Sequence, residues 1–490
     1  MPIFLKRYGE FLIVLACIFF VFFYGLSTLT TKPRLSFDEG FFYEEAHNLS
    51  RLGKLDIITA PNTFSGLPHI ANSSGISASL PLAVVFSIFG FGIEQGRMYA
   101  LSWMLLCLLA VYLFCRRFFG VLSALGTLFL FLTFPPFHAN GRMVMGEIPG
   151  FTYLIFGLLL LSRFPFLGGL FLGLSVIARP SVYLWALVAV GVQMLLTRRL
   201  KAIKPLFKLG VGALIPAVAS LLIFLPNSLT FEWWRATFLF FKLPTFGIGY
   251  SFSESLVHNL MSFVSHPTLI YLLALIMVVA LGFYLKGKLV WNRELLIFSG
   301  IYGVCVLLYF LKSPGWFKYL LPLQLLVLLY VPSSIFFIAE KLALLTKKIF
   351  FTAISPIILW VGAIVLLFSI HTNQLFFFAN IFESTDVSQV EQFLDTRFSK
   401  VTTIAFIHAP QVAMLFPAER KYNFIVVNES LVIGENPLGF EEDRLVPVIV
   451  MPDDLSSFSA QFQGEYARVL DNRYSLESKI GRFNVYALRH

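Results

Sequence analysis

The feature that most constrains this chain is the recurrence of long apolar runs. They lie near residues 11–30, 97–115, 120–138, 150–162, 164–178, 181–197, 206–226, 268–286, 294–311, 318–338 and 349–371, and they contain a single acidic residue, Glu294. An α-helix needs roughly 20 apolar residues to cross a hydrocarbon core about 30 Å thick. The runs therefore predict about 11 transmembrane helices. Two of them, 150–162 and 164–178, fall short of that length and leave the count open. Only 13% of the 490 residues are charged, against roughly a quarter in soluble domains. This balance excludes a disordered chain, a nucleic-acid binder and an ordinary water-soluble enzyme. It predicts an α-helical polytopic membrane protein.

Charge then divides the chain. Residues 1–379 carry 27 Lys/Arg against 12 Asp/Glu, whereas residues 380–490 carry 10 against 15. The basic excess belongs to loops retained on the cytoplasmic side. Lys6 and Arg7 precede the first run, which is read as a retained helix. Arg116-Arg117, the Arg198–Lys208 cluster, Lys286/Lys288/Arg293 and Lys341/Lys347/Lys348 all fall inside if 80–95 lies flat at the outer interface. The first outer loop is then 31–96, the second 139–149, and a third 227–267. Residues 380–490 also fall outside. There, short β-type runs (401–407, 424–427, 445–451, 483–488) alternate with polar or helical pieces, the pattern of a small α/β domain. The four cysteines lie in or beside apolar runs without a paired spacing, so no disulfide framework is expected.

Carboxylates concentrate early in the first outer loop: Asp38, Glu39, Glu44, Glu45 and Asp56, five of the twelve in residues 1–379, fall within 19 residues. Glu147 stands in the second. Such groups at the edge of a hydrophobic slab are costly unless solvated, paired or metal-bound, and they are the usual means of activating a hydroxyl nucleophile. Outer loops are also simply polar, so composition alone leaves both readings open. The order of residues says more. Asp38-Glu39 directly follows the first run, and an amphipathic helix-like piece continues through Ala46, Leu49 and Gly53. Phe89-Gly90 with Arg97, then Arg116-Arg117-Phe118-Phe119-Gly120, the 141–150 run around Glu147, 167–179 ending in Arg179, and Lys318-Tyr319-Leu320-Leu321-Pro322 follow in sequence.

Together these stretches resemble the GT-C glycosyltransferases, specifically the protein O-mannosyltransferase and aminoarabinose (lipid A) transferase group. The resemblance covers about 35–340. It implies a GT-C fold and transfer of a sugar from a polyprenyl-phosphate donor to an acceptor hydroxyl of a glycan, lipid or protein at the outer face, with inversion. The family's Lys/His-Pro-Pro-Leu element has no counterpart at 72–77, where His69 or the local hydroxyls and N–H groups are the remaining candidates for that phosphate contact.

Under this resemblance Asp38, Glu39 and Glu147 are the candidate catalytic carboxylates, with Asp38 as base. Arg142, Arg179, Lys318 and His69 are candidates for the donor phosphate, and each cation could equally anchor its helix at the interface. Arg97 is expected to form a structural pair. Asp38 and Glu147, with Glu39, are candidate oxygen ligands for Mg²⁺ or Mn²⁺, since some relatives are metal-assisted and others are not. The protein is expected in the plasma membrane, with site and C-terminal domain extracytoplasmic and with no nucleic-acid partner. The competing class is a polytopic transporter or lipid flippase. Against it, ionisable residues gather in outer loops rather than at the bilayer midplane.

Overall fold

The computed structural model describes residues 3–60, 63–66, 75–225, 227–235, 252–286, 292–313, 315–350, 355–381, 383–399, 402–416, 424–427, 445–454, 464 and 470–489. In chain order the helices are α1 (Ile3–Ser27), α2 (Phe37–Leu52), α3 (Ile76–Phe89), α4 (Ile93–Phe119), α5 (Val121–Thr133), α6 (Pro135–Gly141), α7 (Glu147–Leu161) and α8 (Pro165–Ala178). They continue as α9 (Pro180–Arg198), α10 (Ile203–Ile223), α11 (Phe252–Ser265), α12 (Pro267–Lys286), α13 (Arg293–Lys312), α14 (Leu321–Phe350) and α15 (Pro356–Ile381). A helix α16 (Asp386–Arg397) and a short α17 (Pro410–Ala413) lie among the strands of the C-terminal region.

Among the described residues, eight helices are long and apolar enough to cross a membrane, or nine if α5 and α6 form one broken span. With the short apolar helices α7 and α8 they account for the eleven runs of the sequence. The break has a local cause. Phe134 precedes Pro135 and takes an extended conformation (φ −68°, ψ 111°), as residues before proline do. The two pieces bend by 64°. Many span residues point large apolar side chains outward, among them Leu214, Met277 and Ile358. On helices of this length and hydropathy, such surface fits the hydrocarbon of a bilayer. Helix α3 shows the same pattern in miniature: Leu80, Val84 and Ile88 form an exposed stripe at i, i+4, i+8, while Leu82, Ala83 and Phe86 are buried.

Among the described residues of the C-terminal region five strands form one sheet, in the order β4 (Phe424–Val427), β3 (Ile404–Ile407), β5 (Val448–Pro452), β7 (Phe483–Leu488), β6 (Tyr474–Ile480). β4, β3 and β5 run parallel, and β7 and β6 are antiparallel additions. Two short strands, β1 (Ile58–Ala60) and β2 (Thr63–Phe64), pair after α2. Neither this hairpin nor β6 was anticipated. One apolar core joins the C-terminal elements to the outer helices: Phe42, Tyr43 and Ala46 of α2 and Leu82 and Phe86 of α3 pack with Val390, Leu394, Ile404, Phe406 and Val412.

Candidate active site

Helix α2 starts in a capping box. The Ser36 hydroxyl accepts from the Glu39 N–H, and the Glu39 carboxylate accepts from the Ser36 N–H, both at 3.3 Å. Asp38 and Glu39 thereby enter the first helical turn, where the exposed N–H groups favour negative charge. Consecutive helical residues point about 100° apart, so the two acids meet different surroundings. Glu39 is fully buried. The Arg97 guanidinium of α4 contacts both of its oxygens at 2.8 Å, and the Val144 N–H donates to it at 3.1 Å. This ties α2 to α4 and to the loop before α7. Glu39, a candidate catalytic carboxylate in the sequence, thus has both oxygens occupied in a closed interior. Arg97 forms a structural pair.

Asp38 faces the other way and is 32% exposed. Its Oδ2 forms a hydrogen-bonded ion pair with Lys318 Nζ. Lys318 lies on the single 3₁₀ turn Phe317–Leu320 before α14, with its ammonium 4.5 Å from the centre of the Trp316 ring. Upstream, Asn259 of α11 donates to the carbonyls of Phe310, Leu311 and Ser313 at 3.1, 3.1 and 2.7 Å. Gly315 passes so close to the Asn259 Oδ1 that a side chain there would collide, and its φ is +82°. Asn259 thus fixes the loop that delivers Lys318. Burial acts to raise the Asp38 carboxyl, but the Lys318 ammonium and the Arg179 guanidinium outweigh it and hold it below the usual carboxylate range.

Arg179 sits between α8 and α9, and its Nε lies 3.1 Å from Glu147 Oε1 at the start of α7. Both are buried, at 8% and 1% side-chain exposure. Two glycines make this possible. A Cβ at Gly75 (φ +85°) or at Gly146 would collide with the Ala178 carbonyl oxygen. Only hydrogen at those α-carbons lets both loops close on the end of α8. The Tyr183 hydroxyl then donates to the Glu147 carbonyl at 2.6 Å, and the guanidinium lies 5.9 Å from the centre of the Phe42 ring, on α2. Arg179 is in electrostatic range of Asp38, Tyr319 and Tyr309 as well as Glu147. Tyr319 and Tyr309 pack edge to face at 5.2 Å. Sequence reasoning missed these tyrosines. Tyr319 was visible beside Lys318, but nothing in the order of residues separates a site tyrosine from an interfacial one.

The structure thus brings together Asp38, Lys318, Arg179 and Glu147. It takes Arg142 elsewhere. That guanidinium donates to the Gly25 and Thr28 carbonyls at 2.8 and 2.7 Å and to the Thr28 hydroxyl at 2.6 Å. The Gly25 carbonyl lies in the last turn of α1, and the Thr28 carbonyl, which also accepts from the Thr31 and Lys32 N–H groups, lies in the turn after it, so Arg142 closes that helix end. His69 lies outside the described residues, as do 72–74. The Ser77 hydroxyl is spent on the Leu174 carbonyl at 2.8 Å. The donor set does not fit a divalent cation at Asp38 and Glu147. Each carboxylate is already neutralised by a cationic side chain, and no three metal-ligating side chains converge among the described residues.

A carboxylate flanked by an ammonium and a guanidinium can accept a proton on one side while the cations receive negative charge on the other. No protein-family model matches the chain, and no curated protein matches it in sequence. Solved structures match it in fold. The crystal structure of ArnT from Cupriavidus metallidurans bound to undecaprenyl phosphate aligns with a TM-score of 0.61 at 14% identity, over 98% of this chain and 98% of that one. The apo form of the same protein gives 0.59, also at 14% and over 98% of both. The oligosaccharyltransferase AglB from Archaeoglobus fulgidus, in complex with an inhibitory peptide and a dolichol-phosphate, gives 0.48 at 13%, over 99% of this chain and 75% of its own. At 14% identity the likeness to ArnT is one of fold: the chain is a polytopic α-helical membrane protein with the GT-C fold.

Proposed function

We propose that the protein is a glycosyltransferase moving a sugar from a polyprenyl-phosphate donor to an acceptor hydroxyl at the outer face of the plasma membrane. The observation that carries this reading is the pairing of Asp38 with Lys318 beside the buried Arg179–Glu147 pair. It is supported by a fold shared with a protein whose crystal structure holds undecaprenyl phosphate. In the reaction Asp38 takes the proton of the acceptor hydroxyl as its oxygen bonds to the anomeric carbon. The bond from that carbon to the phosphate oxygen breaks, and polyprenyl phosphate leaves with the electron pair. Attack from the face opposite the leaving group inverts the anomeric centre. Lys318 keeps Asp38 ionised and, with Arg179, stabilises the charge growing on the phosphate. Glu147 holds Arg179 in place. Residues 1–379 carry this chemistry and residues 380–490 form an extracytoplasmic unit.

The test is transfer from polyprenyl-phosphate sugars to a membrane extract by the wild type and by Asp38→Asn, at matched amounts of folded protein. Loss of a general base costs on the order of 100- to 10,000-fold. Equal transfer by the two proteins removes Asp38 from the mechanism. Absence of transfer by the wild type across the donors refutes the enzyme reading.

A further inference from the structure

The segment that delivers Asp38 is gripped by the C-terminal region at five places. The Ser384 N–H donates to the Thr31 carbonyl at 3.1 Å. Glu383 pairs with Lys32 at 3.1 Å. Arg482, in the turn between β6 and β7, donates to the Leu35 carbonyl at 3.1 Å while its Nε bonds to Asp386 at 2.6 Å. The His408 ring, just past β3, lies 4.6 Å from the Phe37 ring. Gly40 meets the Pro410–Gln411 backbone so closely that a Cβ would lie 2.5 Å from the Gln411 nitrogen. Phe37 and Gly40 are at i and i+3 and share one face of α2, on either side of Asp38 in sequence.

Helix α2 therefore has three faces with three tasks. Glu39 and Tyr43 turn towards α4, where the Tyr43 hydroxyl donates to the Ile93 carbonyl at 2.8 Å. Asp38 and Phe42 turn towards Lys318 and Arg179. Phe37 and Gly40 turn towards the C-terminal region. The Asp38–Lys318 pair is partly exposed, and such pairs hold little by themselves. The His408 backbone lies in the left-handed region at φ 53°, a conformation that the surroundings must enforce in a residue other than glycine.

We propose that the C-terminal region is a positioning device for the catalytic aspartate. The His408–Gln411 turn and Arg482 set the rotation of α2, and hence the place of Asp38 against Lys318. His408 and Gly40 act as positioning residues. This rests on the reading of Asp38 as the base.

The experiment uses the full chain in detergent, with Gly40→Ala and His408→Ala. Two quantities are measured: kcat and KM for sugar transfer, and backbone amide hydrogen exchange over 37–46. Alanine is a better helix former than glycine, so Gly40→Ala strengthens α2 locally while its methyl group wedges against Gln411. A misplaced base is expected to lower kcat on the order of 10- to 100-fold, with KM within about twofold. Exchange over 37–46 is expected to speed up in His408→Ala, which removes atoms and adds no clash. Unchanged kcat in both variants overturns the proposal, as does a change confined to KM. Unchanged exchange in His408→Ala overturns it too, and that readout needs no activity. A wild type without transfer would refute the enzyme reading, while the exchange data would still decide whether the C-terminal region holds α2.

Discussion

The Glu39–Arg97 pair offers a direct test of how the two neighbouring acids divide their roles. At a contact of 2.8 Å and an effective dielectric constant of about 20, Coulomb attraction between unit charges is about 6 kcal/mol. Desolvating both ions offsets much of that, so the pair adds little net stability, yet losing one member strands the other. Glu39→Gln alone should therefore cost about 3–5 kcal/mol, and Arg97→Met alone a similar amount. The double variant removes both charges. The glutamine amide in place of the Glu39 carboxylate would keep an oxygen for the Val144 N–H, so the double variant should lie within about 2 kcal/mol of wild type. The assay is an SDS titration in mixed micelles, read by intrinsic tryptophan fluorescence. Losses in the double variant equal to the sum of the singles would refute the argument. So would a folded double variant as inactive as Asp38→Asn, because Glu39 would then be acting in the chemistry.

Three further outcomes are expected. Lys318→Met removes the nearest cation from Asp38, whose carboxyl is held low by Lys318 and Arg179 against burial. The base then stays protonated to higher pH, so the acid limb of kcat should move upward, as a rate profile from acidic to neutral pH would show; Arg179, Glu147 and Tyr319 are the other ionisable groups around it. Arg142→Gln should lower stability by about 1.5–3 kcal/mol through the carbonyls at the end of α1, without raising KM for the donor; a raised KM would return Arg142 to the phosphate site. Dialysis against EDTA should leave transfer intact, since Asp38 and Glu147 already face cationic side chains; loss restored by Mg²⁺ or Mn²⁺ would refute that.

Much of the architecture was legible because a bilayer imposes a length rule on apolar runs, and each of the eleven runs overlaps a helix. The C-terminal strands at 404–407, 424–427, 448–452 and 483–488 were legible as β-branched apolar stretches. Strand β6 was not. Its sequence, Tyr474 to Ile480, includes Glu477 and Lys479 because it is an edge strand with most of one side exposed, and charge there reads as loop. In the site, Asp38, Glu147, Arg179 and Lys318 were visible as charges beside apolar runs. The different surroundings of Asp38 and Glu39 were invisible, since they depend on a partner of Glu39 that lies 58 residues away in sequence. The partners of Arg142 were hidden for the same reason: a cation at a helix end looks alike whether it meets a ligand or a neighbouring helix terminus.

The shortness of α7 and α8 has a consequence for how deep the chemistry lies. Arg117, near the end of α4, donates to the Leu159 carbonyl and the Ser162 hydroxyl, so α4 and α7 share one level at that end. From there the 27 residues of α4 climb about 40 Å, while the 15 of α7 climb only about 22 Å. Helix α8, with 14 residues, stops at the same height. Glu147 and Arg179, at the other ends of these two short helices, are therefore set back by about 18 Å along the helix axis from the far end of a straight α4. Two half-length helices beside a full-length one leave a recess over the Glu147–Arg179 pair, so the charged groups of the site are reached from the side of the bundle as well as from its end.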